Sequence, residues 1–421
     1  MRINNATNFQ VLFCNFKLRL FAGRTLQILL KFGTMLNGVC GTVCKLSCRG
    51  CGNGKARSQN SRMFFGGTSM SWEANVRKVT PYVAGEQPKG QDVIKLNTNE
   101  SPYPPAPGVA RVLREYDADM LRKYPDSETE PLRSELAAYY GVEKEQVFVG
   151  VGSDDVLAMA FLTFFNHPSL PVLFPDITYS FYDVWAELFR IPYQVQALDE
   201  QFHIKEEDYL KPNGGVIIPN PNAPTGELAP VSMFERILRA NPDVVVIVDE
   251  AYIDFGGESC LKLIDQYENL LVVRTFSKSR ALAGIRIGYA FGSKKLIRYL
   301  QDAKYSFNSY TMNSITLAAG VEAVRDDSYF REITDKVIAT RERSKKELAA
   351  LGFSFTDSKS NFIFAAHEKY RAKELFDALR AHHIYVRHWD KPRIENYLRI
   401  SIGTDAEMNT LFAFLKEYIG A

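Results

Sequence analysis

The chain has 421 residues, 46% hydrophobic and 24% charged, with a formal net charge of +2; this excludes fibrous and disordered classes and leaves room for two cores. The charge is unevenly spread: residues 1–69 hold ten Lys/Arg and no acid, leaving 41 basic against 49 acidic residues in 70–421, a net of −8. An acidic body excludes a nucleic-acid footprint, which needs a basic face, and no apolar run reaches the roughly 18 residues of a membrane span.

Residues 1–69 also contain Cys14, Cys40, Cys44, Cys48 and Cys51, whereas the body has only Cys260. The body therefore has no disulfide framework and is expected in a reducing compartment, the cytoplasm. Cys44, Cys48 and Cys51 are spaced for metal thiolates but lack an evident fourth ligand, so no metal is expected. An acid-free, Arg-containing leader also suits an organelle-targeting peptide. The expectation is a disordered extension preceding a start at Met70, after which composition becomes ordinary, with a product of about 40 kDa in place of 47.7 kDa.

Residues 70–105 are expected to form an N-terminal arm. Within it Ser101–Pro107 is extended, because each proline biases its predecessor away from helix. From residue 106 to 312 short apolar runs alternate with longer amphipathic stretches, the pattern of buried parallel strands and crossover helices. Strands are predicted at Val147–Val151, Val172–Phe174, Val216–Ile218, Val244–Val248 and Leu271–Arg274, with helices such as Asp154–Phe165 and Met233–Ala240 between them. This is an α/β sheet, mostly parallel, with helices on both faces. Residues 313–421 read as a smaller α+β domain: a long helix over Asp327–Leu351, strands at Phe353–Phe355, Asn361–Phe364 and Tyr397–Ile402, and a helix near Ala372–Ala381.

Open parallel sheets bind ligands beyond the carboxyl ends of their strands, and four polar clusters follow predicted strands. Gly150-Val-Gly-Ser153-Asp154 opens a helix whose free N–H groups suit a phosphate. Pro219-Asn220-Pro-Asn222-Ala223-Pro-Thr-Gly226 is a rigid turn with two amides. Asp249-Glu-Ala-Tyr252 puts a carboxylate and a phenol at the sheet rim, and Thr275-Phe-Ser277-Lys278, with Arg286 beyond, adds an amine, a hydroxyl and a cation. Each alone has a structural explanation: a glycine turn, a proline turn, a helix cap, a solvated lysine. Together they match what pyridoxal phosphate requires: an amine nucleophile, a buried acid for the pyridine nitrogen, a phenol for the ring oxygen, and a helix N-terminus with a cation for the phosphate.

Asn-Ala-Pro-Thr-Gly, Asp-Glu-Ala-Tyr, and Phe-Ser-Lys with Leu-Ala-Gly-Ile-Arg-Ile-Gly-Tyr, with Asp249 and Lys278 29 residues apart, resemble the fold type I pyridoxal-phosphate aminotransferases from about Val76 onward. Among them the chain is most similar to the histidinol-phosphate aminotransferase subfamily. The resemblance implies Lys278 as the catalytic Schiff-base lysine, Asp249 on the pyridine nitrogen and Tyr252 on the ring oxygen. It further implies Ser153, Asp154, Ser277 and Arg286 around the cofactor phosphate and Tyr179 stacked on the ring. Where many relatives have asparagine before Pro-Thr-Gly this chain has Ala223, so Asn222 is expected to take that contact. Tyr124 would reach the neighbouring subunit's cofactor, implying a homodimer. Tyr82, Arg387 and Arg399 match positions around the substrate's phosphate or carboxylate, which a planar guanidinium serves equally.

The expected reaction is amino transfer between L-histidinol phosphate and 2-oxoglutarate, yielding imidazole-acetol phosphate and L-glutamate. An aromatic amino-acid aminotransferase and a decarboxylase of an amino-acid phosphate share these motifs. A non-catalytic regulator of the same fold would need a DNA-binding helix-turn-helix, a pattern the acid-free segment lacks; a metal-binding protein led by the cysteines predicts bound zinc or iron that disappears on deleting residues 1–69.

Overall fold

The computed structural model describes residues 72–90 and 92–420. The extension 1–69, with its cysteine cluster, its targeting reading and the start at Met70, lies outside the described residues. The chain divides into two units at Val76. Of the first, the described part is an exposed 3-10 turn, Trp72–Asn75; the second, from Arg77 on, holds everything that follows.

Its centre is a seven-stranded sheet: β1 (Val147–Gly150), β2 (Val172–Pro175), β3 (Tyr193–Gln196), β4 (Gly215–Pro219), β5 (Val246–Asp249), β6 (Leu270–Thr275) and β7 (Gly288–Gly292). The spatial order is β1-β7-β6-β5-β4-β2-β3. Only β7 runs antiparallel to its neighbours; the remaining pairs are parallel. The inner strands are continuous apolar runs because both faces are covered. Val216, Ile218, Val246, Val248 and Val272 point into one core with the helices Pro107–Glu115, Glu130–Tyr140, Val231–Ala240 and Ser314–Arg325. Ile217, Ile247, Leu271 and Val273 point into the other, against Gly152–Phe164, Tyr182–Phe189 and Lys294–Phe307.

The predicted strands and helices recur within a few residues, and the α/β class with them. Two strands of this sheet escaped prediction. β7 is bracketed by glycines and reads as loop, and β3 is an edge strand whose first three residues are exposed, so it carries no buried-face pattern. The helix Ser314–Arg325, beyond the expected domain boundary at 312, contributes Leu317, Ala319 and Val321 to the large sheet's core.

A second sheet, β8 (Phe353–Phe355), β9 (Phe362–His367), β10 (Arg387–His388) and β11 (Leu398–Ser401), is antiparallel throughout in the order β10-β11-β9-β8. Helices Asp327–Ala350, Ala372–Ala381 and Asp405–Ile419 share its core through Val337, Leu348, Leu375, Met408 and Leu411. Ile94–Lys95 pairs in parallel with Ile384–Tyr385, tying the N-terminal segment to this layer. No helix among the described residues is long and apolar enough to cross a membrane.

Candidate active site

Strand direction brings the four polar clusters to one edge of the large sheet. Pro219 is in register with Asp249, and Asp249 with Val273; Gly150 is in register with Gly288, and Gly288 with Thr275. The loops that follow β1, β4, β5 and β6 therefore open on one side, where the sheet carries two cavities of about 770 and 170 Å³ that share seven lining residues, Lys278 among them.

The smaller cavity lies against the sheet. Asp249, Tyr252, Ser153, Ser277, Lys278 and Arg286 line it. Two glycines shape one end: Gly152 sits at φ +83°, where a Cβ would come within 2.5 Å of Arg286, and a Cβ on Gly288 would clash with the Gly152 carbonyl carbon and the Ser153 nitrogen. Arg286 donates to Asp154 Oδ2 at 2.9 Å, and Tyr179 donates to Asp154 Oδ1 at 2.7 Å. Bare N–H groups of the helix Gly152–Phe164, the Ser277 hydroxyl and a guanidinium thus converge where only glycine leaves room, a donor set suited to a phosphate.

At the end of β5, Asp249 is buried. Its Oδ2 accepts from Tyr182 at 2.8 Å and its Oδ1 from the Ala251 N–H at 3.2 Å. Burial pushes its carboxyl up to about 6, against the pull of the Tyr182 hydrogen bond. Burial beside these carboxylates also raises the Tyr179 and Tyr182 phenols well above their ordinary value. A protonated pyridine nitrogen in this cavity would supply the cation that the buried acid lacks. Lys278 Nζ donates to the Thr98 carbonyl at 3.4 Å and stands 5.8 Å from the centre of the Tyr252 ring. The Tyr252 hydroxyl accepts from Asn99 at 3.0 Å. A phosphate cradle, a buried acid, a phenol and an amine in one small cavity fit pyridoxal phosphate.

Behind Asp249 runs a buried ionic network. Glu250 accepts from the Cys260 N–H and from Ser259, each at 2.6 Å, and pairs with Arg274 at 2.9 Å. Arg274 also reaches Asp254, to which Ser279, next to Lys278, donates at 2.5 Å. It links the chain just after Asp249 to the chain on either side of Lys278.

The larger cavity extends outward and is lined by Tyr82, Arg387, Trp389, Arg393 and Arg399. Tyr82 stacks on Phe181 with ring centres 4.3 Å apart. Arg387 and Arg399 are cross-strand neighbours on β10 and β11. Arg399 donates to the Asn97 carbonyl at 2.9 Å, while its buried Nε has no partner. Burial and the nearby Arg387 pull Arg399 below its ordinary pKa.

Lys278, Asp249, Tyr252, Ser153, Asp154, Tyr179, Ser277, Arg286, Tyr82, Arg387 and Arg399 are thus gathered around the two connected cavities. Two expected residues are not. Tyr124 is 82% exposed and stacks on Tyr310 at 4.7 Å, away from this chain's own cavities. Asn222 requires correction: its amide is spent on the Ile177 carbonyl at 2.9 Å and Thr225 at 3.0 Å, and its oxygen accepts from Thr178. Ala223, which offers no donor, lines both cavities instead. The side chain that sequence reasoning missed is Tyr182, whose aromatic context reads as core packing. Trp389 and Arg393 were missed as well, though Trp389 lies two residues from Arg387. Among the described residues no cluster of three or more His, Cys, Asp or Glu is placed to hold a metal.

The family model described as aminotransferase class I and II matches residues 91–415. A histidinol-phosphate aminotransferase from Lactococcus lactis subsp. cremoris (strain MG1363) is 52% identical over 350 residues, 83% of this chain and 98% of that protein. One from Clostridium botulinum (strain Langeland / NCTC 10281 / Type F) is 49% identical over 351 residues, 83% of this chain and 99% of its own length. The crystal structure of histidinol-phosphate aminotransferase from Sinorhizobium meliloti in complex with pyridoxal-5'-phosphate superposes with a TM-score of 0.72 at 26% identity, covering 78% of this chain and 91% of that one.

Proposed function

This chain belongs to the aminotransferase class I and II family, and on that footing we propose that it is a pyridoxal-phosphate-dependent transaminase acting between L-histidinol phosphate and 2-oxoglutarate in histidine biosynthesis. The observation that carries the reading is the joining of two cavities: one with a buried acid, a phenol, an amine and a phosphate cradle, the other with two arginines that pair with no carboxylate among the described residues. Relatives about half identical over nearly their whole length bear the same activity in their names.

Pyridoxal phosphate, when bound, supplies an aldehyde carbon to take up the amino group and an electron-poor ring. Lys278 would provide the amine that attaches it and would serve as general base and acid at the substrate's amine-bearing carbon. Asp249, held by Tyr182, keeps a proton on the ring nitrogen. Tyr252, whose hydroxyl accepts from Asn99, would donate to the ring oxygen, and the Ala223 side chain offers that oxygen no further donor. Ser153, Asp154, Ser277 and Arg286 anchor the phosphate, and Tyr179 packs on the ring. Tyr82, Arg387 and Arg399 orient the substrate's anion, whether phosphate monoester or carboxylate.

The working form proposed is a cytoplasmic homodimer in which Tyr124 serves the partner's site. In support, Tyr124 is exposed, and Met120 and Leu121 just before it are exposed as well, an apolar surface of the kind partners cover. Residues 106–312 and 313–421 are proposed as the large and small domains, with 70–105 as the arm. The test is an assay of the purified enzyme with histidinol phosphate, phenylalanine and threonine phosphate as amino or decarboxylation substrates. Transamination of histidinol phosphate at the highest kcat/KM is expected, and turnover of only the other two overturns the proposal.

A further inference from the structure

Three arginines around the site are each matched to an acid: buried Arg274 to Glu250 and Asp254, half-buried Arg286 to Asp154, and exposed Arg393 to Asp176. Arg387 and Arg399 differ. They stand directly opposite each other on β10 and β11, where like charges repel, and among the described residues no carboxylate pairs with either. What they share is an indole. The guanidinium carbons of Arg387 and Arg399 lie 5.4 and 5.2 Å from the ring centre of Trp389, and Arg399 lies 5.3 Å from Phe362 as well.

An aromatic face attracts a cation without bringing a charge of its own. A carboxylate in the indole's place would hold the guanidiniums but cancel the field that an incoming anion must feel, whereas an aliphatic side chain would leave the mutual repulsion unopposed. We infer that Trp389 is a positioning residue for the substrate's anion: its π face holds Arg387 and Arg399 side by side, charged and free of any protein acid, so that a dianionic phosphate monoester completes the pair. The inference rests on the reading of the two arginines as the substrate's anion site.

Calorimetric titration of the holoenzyme with inorganic phosphate tests it, using Trp389→Leu, Trp389→Phe and protein carrying fluorinated tryptophan at position 389 alone. Phosphate affinity should fall about tenfold in Trp389→Leu and no more than about threefold in Trp389→Phe. It should also weaken stepwise with each added fluorine, which draws charge from the ring face while nearly keeping its shape. KM for the phosphate-bearing substrate should follow the affinity, with kcat within about twofold. A flat affinity across the fluorinated series overturns the inference, and that series answers even if Trp389→Leu misfolds. Arg399→Gln separates the two readings. If it binds phosphate as the parent does, the arginines are not the anion site and the substrate assignment fails first. If it loses phosphate while the fluorinated series stays flat, the role of Trp389 alone is refuted.

Discussion

The hydroxyl of Tyr182 donates to Oδ2 of Asp249 over 2.8 Å, and both side chains are buried. The bond opposes burial, which pushes Asp249 from 3.8 up to about 6. In the cofactor-free protein the folded state therefore binds more protons at Asp249 than the unfolded state does between those two values. The stability that Asp249 contributes falls as pH rises through that window and is level above it. Tyr182→Phe removes a donor to the charged form, so Asp249 titrates higher still. The upper edge of the pH dependence, read by urea unfolding of the cofactor-free protein from pH 4 to 8, should move upward; an edge that stays near 6 contradicts the role given to Tyr182.

Asp249→Asn should act with opposite signs in the two states. Without cofactor it removes an unpaired buried charge, and a shift of roughly two units corresponds to on the order of 3 kcal/mol gained at pH 7 and little at pH 4. With cofactor it removes the partner of the ring nitrogen, so cofactor retention on dialysis, followed by absorbance, should drop at least about tenfold. Stability and retention moving together in either direction would refute the assignment of Asp249.

Gly288→Ala should expel the cofactor with little harm to the fold's outer layers, because the added methyl group meets the backbone of Gly152 and Ser153 at the phosphate cradle. Neither atom can rotate away as a side chain would. Cofactor content of the purified variant, set against a far-UV spectrum like the parent's, reads this out. A fully loaded variant would place the phosphate elsewhere.

Glu250 and Arg274 form a buried pair, in which Coulomb attraction and hydrogen bonds from Ser259 and Cys260 offset desolvation. Glu250→Gln leaves Arg274 buried beside Asp254 alone, and a loss of about 3–5 kcal/mol is expected in denaturant titration. Because Asp254 also holds Ser279 beside Lys278, kcat should fall as well.

Tyr124 can be tested by mixing. If it completes the partner's site, Tyr124→Phe and Lys278→Ala homodimers are each impaired, and subunit exchange between them creates mixed dimers with one intact site. Activity should rise on mixing above the mean of the two. No rise, with exchange verified by mass, would return Tyr124 to its own surface.

The motifs that follow β1, β5 and β6 were legible because each is local: a glycine turn into a helix, an acid after an apolar run, a Ser-Lys after another. Strand order was partly legible, since parallel strands put their carboxyl ends on one edge whatever their sequence. Asn222 shows the limit of motif transfer. A one-residue offset decides whether an amide faces the cavity or the Ile177 carbonyl, and only the path of the loop reveals which. Tyr182 was hidden because a buried tyrosine in an aromatic helix has the same sequence signature whether or not its hydroxyl meets a carboxylate.

By itself the sequence determined the α/β class and the cofactor and singled out Lys278, Asp249, Tyr252 and Arg286 as candidates, because each sits in a short-range pattern after an apolar strand and these patterns occur together in one chain. The tertiary structure decided what depends on contacts between distant segments: Tyr182 beneath Asp249, the Glu250–Arg274 network joining the chain after Asp249 to the chain around Lys278, and Trp389 against two arginines that pair with no carboxylate among the described residues. The physical reason is the same in each case. Proton affinity and ion pairing depend on burial and on partners a few ångströms away, and those partners come from elsewhere in the chain.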